Sequence, residues 1–129
     1  MAKQGDFIWH DLTTPDQETS GAFFSKLFGW KLAQVDAGEF GIYTLFQRGG
    51  QDIAGMMNPV RESILSGRNE SRWHIYIAVD DVDECARRVP ELGGKVLVKA
   101  HDVPGIGRAC LIAEPVGAEV VLITPTEPT

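Results

Sequence analysis

Apolar residues recur at helical spacing in two stretches of the chain, and each stretch follows a β-type run. Phe7 to Leu12 reads as a first strand. Beyond it Ala22, Phe23, Leu27 and Trp30, with Phe24 and Phe28, fall on helical positions, and Gly29 can supply the left-handed residue that ends the helix. Thr14-Pro15-Asp16-Gln17 matches a capping box with proline at the first helical position. The second stretch has the same design: Asp81 and Glu84 form a box, Val82, Cys85, Val89 and Leu92 make the stripe, and Gly93-Gly94 follows. Pro90 conflicts with that stripe because it removes a helical hydrogen bond, which predicts a kinked or detached last turn.

Short β-type runs follow each helix: Lys31 to Val35, Phe40 to Gln47 and Asp52 to Met57, then Lys95 to Ala100, Ile106 to Ala113 and Ala118 to Thr124. Turn residues separate them. Between the two sets lies a polar stretch from Asn58 to Arg72, which is either a linker or a flap.

Laid over itself with a shift of 65 positions, the chain repeats. Trp9 falls on His74, Asp16 on Asp81, Leu27 on Leu92, Gly29 on Gly94 and Leu32 on Leu97. Two copies of a strand–helix–strands module are expected to pair around a shared concave surface able to hold a ligand.

At 129 residues the chain suits one domain, and no apolar run is long enough to cross a bilayer. The opening MAKQGDFIWHDL has no hydrophobic region of the secretory kind, so the expected location is cytoplasmic. A formal net charge of −6 with scattered Lys and Arg disfavours nucleic acid, which requires a basic stripe. Cys85 and Cys110 read as small buried hydrophobes with free thiols. The glycine clusters lack the setting of a phosphate cradle, and hydrolase motifs are absent.

Three segments carry a resemblance: WHDLTTPDQETSGAFFSKLFGW, WHIYIAVDDVDECARRVPELGGKVL and DVPGIGRACLIAEPVGAEVVLITP. Over residues 6 to 125 they resemble the vicinal oxygen chelate superfamily of glyoxalases, extradiol dioxygenases and bleomycin-resistance proteins. The resemblance implies an α+β fold, with two tandem βαβββ modules forming a cupped eight-stranded mixed sheet and helices outside. Module one would span 6–57, the linker 58–72 and module two 73–125 of a single domain, often paired as a homodimer. It also implies a site inside the cup, where enzymes of the family hold a divalent metal with ligands from the first and last strand of each module.

Both copies contain Trp-His, at 9-10 and 73-74, and matching the dipeptides needs a shift of 64. The helices and capping acids agree on 65, and a slip of one residue turns every side chain to the other face. The family's inward ligand precedes the capping acid by seven positions, which selects Trp9 and His74 and turns His10 outward. On the last strand the ligand follows the turn glycine by four, which selects Val121 where a metal enzyme has Glu; the matching strand in the first copy, DIAGMM, offers only apolar or glycine side chains. One imidazole would hold a divalent metal poorly, since about three protein ligands are usual.

The sequence therefore points to a metal-independent, small-molecule-binding protein of the glyoxalase and bleomycin-resistance type, with no cofactor. Its ligand would lie among Trp9, His74, Tyr76, Val121 and Glu119. His74 either bonds a ligand oxygen and acts as acid or base, or is a core histidine satisfied by neighbours. Trp9 either stacks a planar ligand or fills the cup, and Tyr76 either extends a polar edge or packs as core. Phe7, Asp11, Tyr43 and Arg108 are secondary candidates, Arg108 reading better as a solvated surface residue. The alternative is a metal-dependent lyase, isomerase or dioxygenase using His74 and Glu119 with a divalent ion; in a third reading the cup is filled and the protein works through subunit contacts.

Overall fold

A computed structural model of the chain describes residues 3–36, 38, 41–58, 71–103 and 106–126. The elements run β1 (Phe7–Thr13), α1 (Gln17–Phe28), β2 (Lys31–Asp36), β3 (Ile42–Arg48), β4 (Gln51–Met57), β5 (Arg72–Ala78), α2 (Val82–Arg88), β6 (Lys95–Val103), β7 (Gly107–Ala113) and β8 (Glu119–Pro125). The fold is α+β with an eight-stranded mixed sheet, as the sequence pattern and the resemblance led us to expect. Of the stretch from Asn58 to Arg72, residues 59–70 lie outside the described residues, and so does Phe40. Arg72, expected in the linker, is the first residue of β5.

The chain divides into two compact units, Trp9–His74 and Met1–Ile8 with Ile75–Thr129, so the boundaries fall inside β1 and β5. In the Trp9–His74 unit the strands run in the order β2-β3-β4-β1. The β1·β4 pair is parallel and the other two pairs are antiparallel. One face of these strands carries α1. Leu12, Phe46, Ala54 and Met56 are buried together there, with Phe24 and Trp30 packed against them. Gly21 allows the close approach, because a Cβ at that position would stand 3.2 Å from Leu32 Cδ1 and from Met56 Cε.

Asp16, and not Thr14, caps α1. Its carboxylate accepts from the Thr19 backbone N–H at 3.0 Å and from Thr19 Oγ1 at 2.6 Å. Thr14 Oγ1 instead accepts from the Asp16 backbone N–H at 3.1 Å, so Pro15 stands before the cap and outside the helix. These bonds to the ionised form hold the Asp16 carboxyl below the usual carboxylate range. Gly29 closes the helix in the left-handed region at φ 77°. The expected stripe is only partly inward: Phe24 packs on the core, whereas Phe23, Leu27 and Phe28 stay more than half exposed.

In the other unit the order is β5-β8-β7-β6, with β5·β8 parallel. Asp81 caps α2 by accepting from the Glu84 backbone N–H at 3.1 Å. The helix stops at Arg88, and Pro90–Leu92 forms a separate 3₁₀ turn, the break that Pro90 predicted. That break removes Leu92 from the stripe, leaving it exposed, while Val82 and Val89 are buried. Val79, Val82, Cys110 and Leu122 form the core under α2, joined by Ile77, Cys85, Ile112 and Val120.

Candidate functional site

Strand alternation assigns each candidate a face. In β1, Leu12 lies in the core under α1, so Trp9, Asp11 and Thr13 occupy the face without a helix while His10 shares Leu12's face and is exposed. In β5, Ile77 packs under α2, which puts His74 and Tyr76 on the helix-free face. The parallel pairs Asp11↔Gly55 and Tyr76↔Val121 are matching stations of the two modules. Asp11 and Tyr76 differ by 65 positions, the spacing that also separates the caps Asp16 and Asp81.

The Trp9–His74 unit gathers a polar trio on its helix-free face. Trp9 Nε1 donates to Tyr43 Oη at 2.9 Å, and Tyr43 Oη donates to Asp11 Oδ2 at 3.4 Å. Asp11 is only 3% exposed, while Trp9 and Tyr43 are half-buried. Tyr43 reaches across from β3 because Gly55 has no side chain: a Cβ there would stand 1.6 Å from Tyr43 Oη. Burial, reinforced by the negative charge of Asp11, pushes the Tyr43 phenol well above its usual value, so it remains an O–H donor. His74 belongs to the same unit and is buried.

On the corresponding face of the other unit, Tyr76 is half-buried beside fully buried Val121, and Leu111 and Ile123 are buried with it. Glu119 opens β8 opposite Ala113, on Val121's face and partly buried. Phe7 is 70% exposed. Arg108 is a structural ion-pair residue: its Nε and Nη2 donate to Asp83 at 2.8 and 3.1 Å, and Nη1 donates to Asp102 at 3.1 Å. Cys110 is fully buried, and burial pushes its thiol up, away from nucleophilic chemistry.

Of the four stations where the resemblance places metal ligands, three carry Trp9, His74 and Val121, and the fourth falls in DIAGMM of β4, where Gly55 stands opposite Asp11; only one of the four offers a donor side chain. Among the described residues no group of three or more His, Cys, Asp or Glu side chains is arranged to hold a metal ion. These residues do not fit a divalent metal with about three protein ligands. A cleft of about 520 Å³ lies on the opposite, helix-bearing side of the Trp9–His74 unit, lined by Gln17, Glu18, Ala22, Lys26, Leu32 and Met56 among others. None of the candidate site residues named from the sequence lines it. Among the described residues no helix is long and apolar enough to cross a membrane.

The pairing of Asp11 with Gly55 and of Tyr76 with Val121 is the frame of a repeated βαβββ module, and the sequence matches the Glyoxalase/Bleomycin resistance protein/Dioxygenase superfamily over residues 7–122. The chain belongs to this superfamily. It is 34% identical over 119 residues to the anthracycline biosynthesis protein DnrV of Streptomyces peucetius, a match covering 85% of this chain and 43% of that protein. The chain spans less than half the length of the curated relatives it matches. Among solved structures, hypothetical protein BH1468 of Bacillus halodurans is similar with a TM-score of 0.66 at 17% identity, covering 97% of each chain. Methylmalonyl-CoA epimerase of Mycobacterium tuberculosis is similar with a TM-score of 0.61 at 16% identity, covering 95% of this chain and 89% of that one. At such identities the two structures speak for the fold alone.

From sequence alone Asp11 and Tyr43 rank below Trp9, and the hydrogen bonds that join the three do not show in it. The signal was Gly55: a lone glycine inside a strand run marks a place where something else must come close to the backbone.

Proposed function

We propose that this chain is a small-molecule-binding domain of the glyoxalase and bleomycin-resistance type that works without a metal and holds its ligand against the helix-free face of the sheet. The observation that carries the reading is the Trp9–Tyr43–Asp11 trio. The half-buried Trp9 ring offers apolar contact, which supplies most of the affinity of a small ligand, and the buried Asp11 carboxylate at the other end of the trio orients it. His74, buried in the same unit, adds one orienting hydrogen bond. Tyr76, Val121 and Glu119 hold matching positions in the other unit, and the proposal extends to them as ligand-contacting residues of that unit. A single histidine among the four stations supports metal independence, and the likeness to an anthracycline biosynthesis protein supports a planar ligand. The proposal includes a cytoplasmic homodimer with no nucleic-acid partner, in keeping with the charge of −6.

The test is a titration of tryptophan emission with anthraquinone-2-sulfonate, a planar quinone, after dialysis against chelator. Saturable quenching that is lost in Trp9→Phe and weakened about tenfold in His74→Ala is the expected result; tenfold corresponds to about 1.4 kcal/mol. Near-stoichiometric divalent metal that survives dialysis, with His74→Ala losing metal instead of ligand, overturns it in favour of a metal-dependent lyase, isomerase or dioxygenase.

A further inference from the structure

The hydroxyl of Tyr43 is held as a bound phenol would be. On one side it accepts from the Trp9 indole N–H at 2.9 Å; on the other it faces the carboxylate of Asp11. Its ring lies over Gly55, where any side chain would collide with it. The hydroxyl donates to the acid at 3.4 Å, from a ring carried on β3, whose pairing sets Leu45 opposite Gly55 and Val35 opposite Tyr43. Tyr43 is also only half-buried, so its ring borders solvent.

We propose that Tyr43 is the resting occupant of a subsite for a phenolic ring, in which Asp11 and Trp9 read the ligand's hydroxyl and Gly55 leaves room for its ring. The ligand class of this face is then a hydroxylated aromatic, which takes the place of the tyrosine ring when it binds. The inference rests on the functional reading above in taking the helix-free face as the ligand face, and it assigns to Gly55 and Tyr43 the choice of what enters.

Two measurements test it. In Tyr43→Ala the vacated place is expected to bind p-cresol at least tenfold more tightly than toluene, read by the rise in melting temperature, and at least tenfold more tightly than the wild type does. Adding Asp11→Ala is expected to remove the preference for p-cresol. Equal affinity for toluene and p-cresol, or no binding of either by a variant whose circular dichroism is native, overturns the proposal. The second measurement uses the wild-type fold: with only two tyrosines in the chain, 3-fluorotyrosine labelling gives two ¹⁹F signals, and Tyr43→Phe assigns the one from Tyr43. Saturating p-cresol is expected to shift the Tyr43 signal toward its solvent-exposed position, whereas toluene leaves it in place; a Tyr43 signal that stays put under p-cresol overturns the proposal. Quenching by anthraquinone-2-sulfonate alongside a stationary Tyr43 signal would sink the phenolic subsite and leave the binding function standing, while a shifted Tyr43 signal without quenching would sink the planar-quinone ligand and leave the phenolic subsite standing.

Discussion

The two modules share a hydrogen-bond frame and differ in what they hang on it. At the matching stations of the central parallel pairs, the first has Asp11 against Gly55 with a tyrosine laid over the glycine, and the second has Tyr76 against Val121. One helix-free face therefore carries a buried acid bonded to a tyrosine; on the other, Leu111, Val121 and Ile123, all at most 3% exposed, lie beside half-buried Tyr76 and Glu119. Duplication sets strand order and register. The side chains at matching positions then differ between the copies, an acid and a glycine in one and a tyrosine and a valine in the other.

Exchanging the station residues should break this contrast most strongly. Gly55→Val places a branched side chain where Tyr43 Oη now lies, and either the ring leaves or β4 shifts; a loss of about 1–3 kcal/mol is expected in urea denaturation. Val121→Gly removes a fully buried side chain and leaves flexible backbone, with an expected loss of about 2–4 kcal/mol. If Gly55→Val proves neutral with Trp9 emission unchanged, Tyr43 is not held by the missing side chain.

A smaller effect separates the faces by pH. Because the folded state raises the Tyr43 pKa above the unfolded value of about 10, the stability linked to this group is complete below that pH and is lost as pH rises toward the folded value. Denaturation between pH 9 and 11 is expected to show wild-type stability falling, and Tyr43→Phe should flatten that slope. Tyr43→Phe should also lower stability at pH 7, by about 1 kcal/mol, since the Trp9 N–H loses its acceptor. The smallest change is expected from Arg108→Ala on the solvent side of the second module: its pairs with Asp83 and Asp102 are exposed, so the loss should be slight and should shrink further in high salt.

Much of the frame was legible in the sequence because local chemistry determines it. Asp81 capped its helix as read, Gly29 took the left-handed turn, and Pro90 split α2 from its last turn. At the start of α1 the competition between two capping side chains went to Asp16, whose carboxylate takes two hydrogen bonds from Thr19, and Thr14 was left to bind the cap residue itself. The apolar stripe of α1 is broader in sequence than in the fold: Phe23, Leu27 and Phe28 have helical spacing yet stay more than half exposed, and only Phe24 packs on the core. The polar trio was the least legible part. Trp9 and Asp11 share a strand, but Tyr43 joins them from another strand over a glycine of a third, and no local pattern encodes that meeting.

The boundary between the units has a consequence for how the chain folds. Trp9–His74 is one continuous stretch, whereas the other unit joins Met1–Ile8 to the chain from Ile75 onward. Backbone bonds from Gly5 N–H to the Ala78 carbonyl and from Ala78 N–H to the Asp6 carbonyl, both 2.8 Å, close a loop that contains the whole of the continuous unit. Loop-closure entropy opposes such pairings until the intervening chain has condensed. The continuous unit should therefore form first and the pairing of the N-terminal segment with β5 should be a late event, making that short segment the natural place for the native state to begin to open.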